Sequence, residues 1–231
     1  MKHLGIFGGT FNPIHLGHLR VAVEVLEKFQ LDRIIFIPSA QPPHKPHYNI
    51  ANALDRLNMT QLAIDSNPLF ECSSIEIKRK GLSYTIDTIH ELSNLYSHNV
   101  QFYYLIGMDA FLAIHSWKSF EMLFDQIPFI VMSRPEINSD PFKMNQHFIE
   151  YIQQTISKDY IHSQQSKCMV HPKKQRIYYC QVTALDISSS QIRTYLKKGQ
   201  SIQYLLPDLV YEFIFNKKLY QTRTCYDQKR S

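Results

Sequence analysis

Two histidines three residues apart, His15 and His18, follow a pair of glycines near the start of the chain. The short apolar run over residues 4–7 ends at Gly8 and Gly9, which predicts a first strand followed by a tight loop. Glycines lack a Cβ, so the phosphates of a ligand could approach the main-chain N–H groups of that loop. Both histidines open an amphipathic segment, and at a helix N-terminus such imidazoles can donate to phosphate oxygens. The pattern favours a binding site for a nucleoside triphosphate.

Other interpretations of this histidine pair have less support. An isolated His-x-x-His is more often a capping or core pair, but the preceding Gly-Gly-Thr-Phe-Asn-Pro segment favours the phosphate site. A zinc site would need a third ligand, and the His-Glu-x-x-His order of metalloproteases is missing. Neither a Walker A segment nor Gly-x-Gly-x-x-Gly occurs, so P-loop enzymes and dinucleotide-dependent oxidoreductases lose their main support.

A second candidate phosphate site lies near the end of the chain, where Ser188, Ser189 and Ser190 precede Arg193. Serines at this position are good helix caps, and capping alone is the simpler interpretation. Beside a histidine pair, however, hydroxyl and N–H groups at a helix start could hold phosphate oxygens while Arg193 adds a fork-shaped cation. We therefore interpret this segment as a second phosphate clamp.

Three shorter segments could contact the rest of a ligand. A proline-rich loop carries Lys45, which could meet a phosphate, although a surface lysine in a turn would look the same. The segment that ends with Tyr84 and Thr85 begins a predicted helix and offers N–H and hydroxyl groups to a carboxylate. Trp117 is the only tryptophan. Its sequence neighbours are polar, which favours a ring that is available for stacking rather than a ring buried in the core.

Strands and helices alternate along the chain, which predicts an α/β fold with a parallel sheet covered on both faces. Ligands of such sheets bind beyond the carboxyl ends of the strands, where Gly8, Gly9, residues 38–39 and residues 107–109 would gather. The predicted strands cover residues 4–7, 33–38, 100–106, 127–132 and about 177–182, and the predicted helices cover 19–29, 51–66, 85–96, a segment from 187 and 207–215.

The domain organisation is predicted to be simple, with one domain over residues 1–216 whose C-terminal helical part covers 186–216. Residues 136–176 are polar and are interpreted as an insertion or mobile cover, with a helix from about Pro141 to Ser157. Residues 217–231 form a basic tail, which is more plausible as a solvated end than as a nucleic-acid contact.

Composition supports a globular protein rather than a disordered one, with 44% hydrophobic and 19% charged residues among 231. The formal net charge of +5 suits anionic small substrates. No signal-type or membrane-spanning apolar run is present, so we expect a cytoplasmic location. The cysteines are expected to be reduced because no Cys-x-x-Cys spacing indicates a disulfide framework or zinc ribbon: Cys72, Cys168, Cys180 and Cys225.

Together, these motifs resemble the nucleotidylyltransferase superfamily, whose mark is a glycine turn followed by His-x-Gly-His. Five segments occur in family order between residues 5 and 193 and resemble bacterial nicotinate-nucleotide adenylyltransferases: Gly-Gly-Thr-Phe-Asn-Pro-Ile-His-Leu-Gly-His, Pro-Pro-His-Lys, Gly-Leu-Ser-Tyr-Thr, Ile-Gly-Met-Asp with the later Trp, and Ile-Ser-Ser-Ser-Gln-Ile-Arg. The resemblance implies a Rossmann-like doubly wound fold with a small C-terminal helical part. It also implies transfer of the adenylyl group of ATP to nicotinate mononucleotide, giving nicotinate adenine dinucleotide and pyrophosphate in NAD biosynthesis. Mg²⁺ would be held mainly by ATP phosphates and water.

The resemblance also implies roles for individual residues, and no residue is assigned as a metal ligand. Asp109 would bind the adenosine ribose, Gly107 would let the nucleoside approach, and Asn12 is given no acid–base role. The implied catalytic residues are His15, His18, Lys45 and Arg193. The implied ATP-binding residues are Gly8, Gly9, Thr10, Phe11, His15, His18, Gly107, Asp109, Ser188, Ser189, Ser190 and Arg193. The implied substrate-binding residues are Thr10, Phe11, Asn12, Lys45, Tyr84, Thr85 and Trp117.

Two alternatives remain open from the sequence. A related adenylyltransferase could act on nicotinamide mononucleotide or phosphopantetheine, and a non-catalytic nucleotide sensor or RNA-binding module could use the basic tail. We expect small-molecule substrates without a nucleic-acid or membrane partner, and we leave open a homo-oligomer. The residue types do not separate preference for the acid from preference for the amide mononucleotide.

Overall fold

The computed structural model describes residues 1–43, 50–79, 81–96, 99–133 and 141–220, with side chains in the last range from residue 146. An eight-stranded sheet in the order β3-β2-β1-β4-β5-β8-β7-β6 forms its centre. The strands are β1 (Lys2–Gly9), β2 (Arg33–Pro38), β3 (Phe70–Cys72), β4 (Val100–Gly107), β5 (Phe129–Ser133), β6 (Ile161–Ser163), β7 (Cys168–Val170) and β8 (Ile177–Gln181).

The strands from β3 to β8 in this order are parallel, and the chain passes from one side of β1 to the other between β3 and β4. Apolar side chains alternate between the two faces, because successive residues of a strand point in opposite directions. Leu4 and Ile6 lie in the core of one face, while Phe7 lies in the core of the other. Both faces are buried, so the strands are nearly continuous apolar runs.

Helices cover both faces, as the sequence predicts, and the doubly wound α/β fold is confirmed. One face carries α3 (Ile75–Lys78), α4 (Thr85–Leu95), α5 (Met108–Leu112), α6 (Phe120–Gln126) and α7 (Pro141–Tyr151). The opposite face carries α1 (Leu16–Lys28), α2 (Ala53–Ile64), α8 (Ser189–Lys197) and α9 (Asp208–Asn216). None of these helices combines the length and apolar character that crossing a membrane requires.

The segment over residues 136–176 differs from the expected mobile cover in the part that is described. α7 continues into a π-helical turn over Ile152–Ile156, so the predicted helix from 141 is confirmed. β6 and β7 then form an antiparallel hairpin that extends the sheet beside β8. Phe148 and Tyr160 are fully buried in the core with the central strands. This segment is therefore an integral edge of the fold, which its polar composition concealed.

The C-terminal segment also differs from a solvated tail over its first residues. Lys217 ends α9 and its Nζ lies 3.2 Å from Oδ1 of Asp55 on α2. The chain then turns back so that Tyr220 contacts the loop after β1, at Asn12. Residues 221–231, which include Arg223, Lys229 and Arg230, lie outside the described part of the chain.

Candidate active site

A cavity of about 320 Å³ opens at the carboxyl ends of β1, β2 and β4, where the strand order changes direction. This is the position at which parallel α/β sheets bind their ligands. Seven of the residues that the sequence singles out line it: Gly8, Gly9, Thr10, Tyr84, Thr85, Gly107 and Trp117. Other lining residues come from β4 and from the segments after β2 and β3: Ser39, Pro42, Pro43, Glu76, Ser83 and Tyr104.

The far wall of the cavity is aromatic. The rings of Tyr104 and Trp117 meet edge to face, with centroids 6.2 Å apart. The hydroxyl oxygens of Tyr104 and Thr85 lie 3.3 Å apart in hydrogen-bonding contact. Burial raises the pKa of Tyr104, so this hydroxyl stays neutral. The wall thus combines two perpendicular aromatic rings with a hydroxyl pair and the start of α4, which suits an aromatic ring bearing one polar substituent.

Gly8 and Gly9 are the last residues of β1 and do not form the loop that the sequence predicted. They pair in register with Ile37 and Pro38 of β2. A Cβ on Gly8 would lie 2.9 Å from the hydroxyl oxygen of Tyr104, and one on Gly9 would lie 2.9 Å from the Phe11 ring. Both glycines are required because other groups occupy the space of a side chain at the strand end.

The histidine pair lies at the start of α1, as predicted. His15 has an extended backbone at the N-cap and a buried ring, whereas His18 is half-buried in the first turn. The backbone N–H of His15 donates to Nδ1 of His18 at 3.3 Å, so the neutral His18 ring carries its proton on Nε2. The two ring centroids are 3.7 Å apart. One histidine is therefore fixed in the protein, and the other presents an N–H donor beside a helix N-terminus.

Neighbouring residues determine where the rings of these histidines lie. A Cβ on Gly17 would lie 3.0 Å from Nδ1 of His15, so a side chain at this position would displace the ring from its present place. The Phe7 ring lies 6.3 Å from the His18 ring, centroid to centroid, and Phe7 also lines the cavity. The histidine pair and the aromatic cavity are thus adjacent parts of one site.

The N-terminus of α8 packs against the same loop, which brings the two predicted phosphate clamps together. Ser188 caps the helix by accepting from Gln191 N–H, and Ser189 donates to the carbonyl oxygen of Pro13 at 2.8 Å. Arg193 donates to Ser190 Oγ at 3.1 Å and to the carbonyl oxygen of Asn12 at 2.8 Å. Capping therefore accounts for Ser188, while the other contacts place a guanidinium beside the histidine loop.

Three predicted site residues do not line the cavity. Asn12 is buried, and its Oδ1 accepts from the N–H of Ala51 and the hydroxyl of Tyr220. Phe11 is buried in the core instead of lining the cavity, and its φ of 45° lies in the left-handed region. Asp109 is exposed in the first turn of α5, one residue from the lining residue Ala110. These positions shape or border the site without facing the cavity itself.

Lys45, the fourth predicted catalytic residue, lies outside the described residues. The described ranges contain no group of three or more His, Cys, Asp or Glu side chains that could hold a metal ion. The groups around the histidine loop are chiefly imidazole, hydroxyl and guanidinium groups, which fit phosphate oxygens better than Mg²⁺.

Sequence reasoning missed Arg56, a fully buried residue of α2. Its guanidinium donates to the carbonyl oxygens of Thr10 at 2.8 Å, Ala40 at 3.1 Å and Ala51 at 3.0 Å. Arg56 thereby joins the loop after β1, the loop after β2 and the start of α2 around the site. A lone arginine in an otherwise ordinary helix carries no sequence signal for this role.

Two further charged residues line the cavity and were also missed, Glu76 and Lys118. Glu76 is buried and accepts from the Thr88 hydroxyl at 2.7 Å, and burial raises its pKa from the ordinary value of 4.5. Lys118 directly follows Trp117, and its Nζ lies 4.7 Å from the centroid of the Tyr84 ring.

Comparison with known families agrees with this geometry. A profile of the cytidylyltransferase-like family matches residues 6–195. A relative from Desulfatibacillum aliphaticivorans is 42% identical over 94% of this chain and 99% of its own length. Another from Geotalea daltonii is 40% identical over 94% of this chain and 97% of its own. Both are named probable nicotinate-nucleotide adenylyltransferases.

A solved structure with the same fold is that of Plasmodium falciparum nicotinic acid mononucleotide adenylyltransferase complexed with NaAD. It superposes with a TM-score of 0.71 at 21% identity and covers 95% of this chain and 98% of the other. At this identity the match supports the fold.

Proposed function

This chain belongs to the cytidylyltransferase-like family and, within it, to the nicotinate-nucleotide adenylyltransferases, and we propose that it transfers the adenylyl group of ATP to nicotinate mononucleotide. The products are nicotinate adenine dinucleotide and pyrophosphate, on the route to NAD. The structural observation that supports this most strongly is the adjacency of the two halves of the site. Phe7 lines the aromatic cavity and also contacts the ring of His18, so a pyridine nucleotide and a triphosphate can lie end to end.

The reaction needs alignment and charge neutralisation more than proton transfer. An oxygen of the mononucleotide phosphate bonds to the α-phosphorus of ATP, while the bond from that phosphorus to the bridging oxygen breaks and pyrophosphate leaves. The attacking phosphate is already an anion at neutral pH, so no general base is required. Two repelling anions must be held in line, and the charge that develops on the transferred and leaving phosphates must be stabilised.

We assign that stabilisation to His18, His15 and Arg193. His18 donates from Nε2, because its Nδ1 already accepts from the backbone of His15. Arg193 adds a fixed positive charge in the second turn of α8. One hydrogen bond to the Asn12 carbonyl oxygen holds it against the histidine loop, and a second joins it to Ser190 of the same helix. Ser189 and Ser190 lie in the same helix turn and face the β- and γ-phosphates in this assignment. Lys45 is proposed as a further cation on the motif match alone.

We assign the mononucleotide to the aromatic cavity. Its pyridine ring stacks on Trp117, and the carboxylate of that ring faces the start of α4 at Tyr84 and Thr85. Gly107 lies at the end of β4. A Cβ on this residue would have no atom within 4 Å, so the adenosine can lie close to the main chain there. Asp109 in the following turn is the candidate partner of the adenosine ribose.

Magnesium enters this proposal as part of the substrate. The described residues of the site chiefly donate hydrogen bonds and do not form a cluster of carboxylate oxygens, so the phosphate oxygens of ATP and water would hold the ion. The proposed partners are therefore ATP with Mg²⁺ and nicotinate mononucleotide. A cytoplasmic location and any homo-oligomer stay predictions.

Pyrophosphate release tests the proposal directly. The protein is incubated with ATP and Mg²⁺ and, in separate reactions, with nicotinate mononucleotide, nicotinamide mononucleotide or phosphopantetheine. We expect turnover with the first to exceed turnover with the others. Turnover only with phosphopantetheine would move the chain to another branch of the family, and inactivity with all three would favour a non-catalytic nucleotide sensor.

A further inference from the structure

Lys118 occupies a position that no family motif covers, at the rim of the aromatic cavity. Among the described residues that line the cavity, it is the only lysine or arginine. Its Nζ lies 3.1 Å and 3.2 Å from the two carboxylate oxygens of Asp87, and 4.7 Å from the centroid of the Tyr84 ring. These contacts fix the ammonium above the start of α4, which is the end of the cavity assigned to the pyridine substituent.

The acidic side chain inside the cavity opposes an anionic substituent less than its type suggests. Glu76 is the only carboxylic acid among the described lining residues, and it is hydrogen-bonded to the Thr88 hydroxyl. Burial raises the pKa of Glu76, which reduces the negative charge facing a ligand. A bound carboxylate would therefore be attracted by the Lys118 ammonium at the rim and repelled less by Glu76 inside the cavity.

We propose that the Lys118 side chain makes this site prefer an acid to an amide on the pyridine ring. The inference rests on the proposed function, because it concerns which mononucleotide the same cavity accepts. An ammonium attracts a carboxylate through its charge, whereas a neutral amide offers it only a carbonyl oxygen.

The ion pair with Asp87 is compatible with this role. An ammonium has three N–H groups, and the two Asp87 oxygens account for two of them. The Tyr84 ring face holds the same cation by a cation–π contact, so its direction is set before a ligand binds. The Lys118 and Asp87 side chains are 48% and 34% exposed, so their mutual attraction is partly screened and does not cancel the effect of a nearby third charge.

A purely structural role for Lys118 makes a different prediction. The ion pair would then only tie the turn after Trp117 to α4, and its loss would disturb both mononucleotides equally. The ratio of kcat/KM for nicotinate mononucleotide to kcat/KM for nicotinamide mononucleotide separates the two roles. A structural defect cancels in this ratio, whereas a lost charge contact does not.

The test compares Lys118→Gln, Lys118→Arg and Lys174→Gln with the unmodified protein at saturating ATP and Mg²⁺. We expect Lys118→Gln to lower the acid-to-amide ratio by about fivefold, mainly through KM for the acid, the upper scale for a half-exposed charge pair. Lys118→Arg should retain most of the ratio. Lys174→Gln is the matched control, since Lys174 pairs with Asp125 at 2.6 Å and does not line the cavity.

A second measurement needs no variant. Raising the ionic strength from about 0.05 M to about 0.5 M should lower the acid-to-amide ratio of the unmodified protein, because salt screens an exposed charge pair.

An acid-to-amide ratio in Lys118→Gln equal to that of the unmodified protein would overturn the inference and leave the proposed function standing. A ratio that does not respond to salt would overturn it as well. Failure of the unmodified protein to use either mononucleotide would overturn the proposed function, and this inference with it.

Discussion

The hydroxyl of Tyr220 donates a hydrogen bond of 2.8 Å to Oδ1 of Asn12, which ties the end of the described chain to the loop after β1. The same Oδ1 accepts from the N–H of Ala51, and the Asn12 carbonyl accepts from Arg193. Asn12 therefore joins three separate parts of the fold, and it lies three residues before His15. These contacts give Asn12 a structural role in holding the loop that carries His15.

We expect Tyr220→Phe to lower both stability and turnover. The variant removes one partly buried hydrogen bond, a loss of about 1 kcal/mol in the free energy of unfolding. Turnover should fall several-fold because the loop that carries His15 is held less firmly. Urea unfolding and steady-state pyrophosphate release measure the two effects.

Tyr195→Phe is the control for that change, because the Tyr195 hydroxyl accepts a hydrogen bond from Nε2 of Gln191 in its own helix. It should leave turnover unchanged. Equal turnover in both tyrosine variants would show that the contact between Tyr220 and Asn12 has no role in the reaction.

We expect His18→Ala to lower kcat by about a hundredfold or more, the usual scale for losing one preorganised donor. The variant also removes the Nδ1 acceptor of the His15 N–H, so the free energy of unfolding should fall by about 1 kcal/mol as well. His147→Ala, at an exposed position of α7, is the control variant. Near-normal kcat in His18→Ala would rule out the assignment of the transition-state donor to this residue.

We expect Gly17→Ala to lower kcat by roughly tenfold without unfolding the protein, through the orientation of catalytic groups. Alanine normally favours a helix over glycine by about 1 kcal/mol. Here the added Cβ would lie 3.0 Å from Nδ1 of the buried His15 ring, so that ring must shift. The midpoint of thermal unfolding should therefore stay nearly unchanged while kcat falls. Unchanged kcat would mean that the position of His15 is not critical.

Glu76 provides a pH-dependent contribution to stability with a defined sign. Burial raises its pKa in the folded protein above the ordinary value of 4.5, so the folded state binds this proton more tightly than the unfolded chain. The resulting stabilisation is fully present below the unfolded pKa and is lost as pH rises through the folded pKa. One pKa unit corresponds to about 1.4 kcal/mol.

We therefore expect Glu76→Gln to gain stability relative to the unmodified protein as pH rises from about 4 to about 8. Urea unfolding at several pH values measures this difference. Glu212→Gln, at an exposed position of α9, is the matched control. A stability difference that does not vary with pH would show that Glu76 ionises as readily in the folded protein as in the unfolded chain.

Much of the fold could be predicted because each central strand carries its own signal. The runs that contain Ile35 and Ile130 are apolar on both faces, which indicates a buried parallel strand without knowledge of its neighbours. The hairpin of β6 and β7 carried no such signal. Its strands are three residues long, and β6 is polar at His162 and Ser163. β7 is held by pairing with β8, and β6 by pairing with β7.

The sequence by itself determined the strands β1, β2, β4, β5 and β8 in their order along the chain, the histidine pair at the start of α1 and the serine and arginine cluster at the start of α8. These features are local, since a helix start or an apolar run depends on residues close together in the chain. Only the tertiary structure decided that Arg56 joins three loops, that Tyr220 reaches Asn12 and that Lys118 faces the cavity. Each of these contacts joins distant segments, and the pattern of polar and apolar residues indicates which side chains are buried but not which distant atoms they meet.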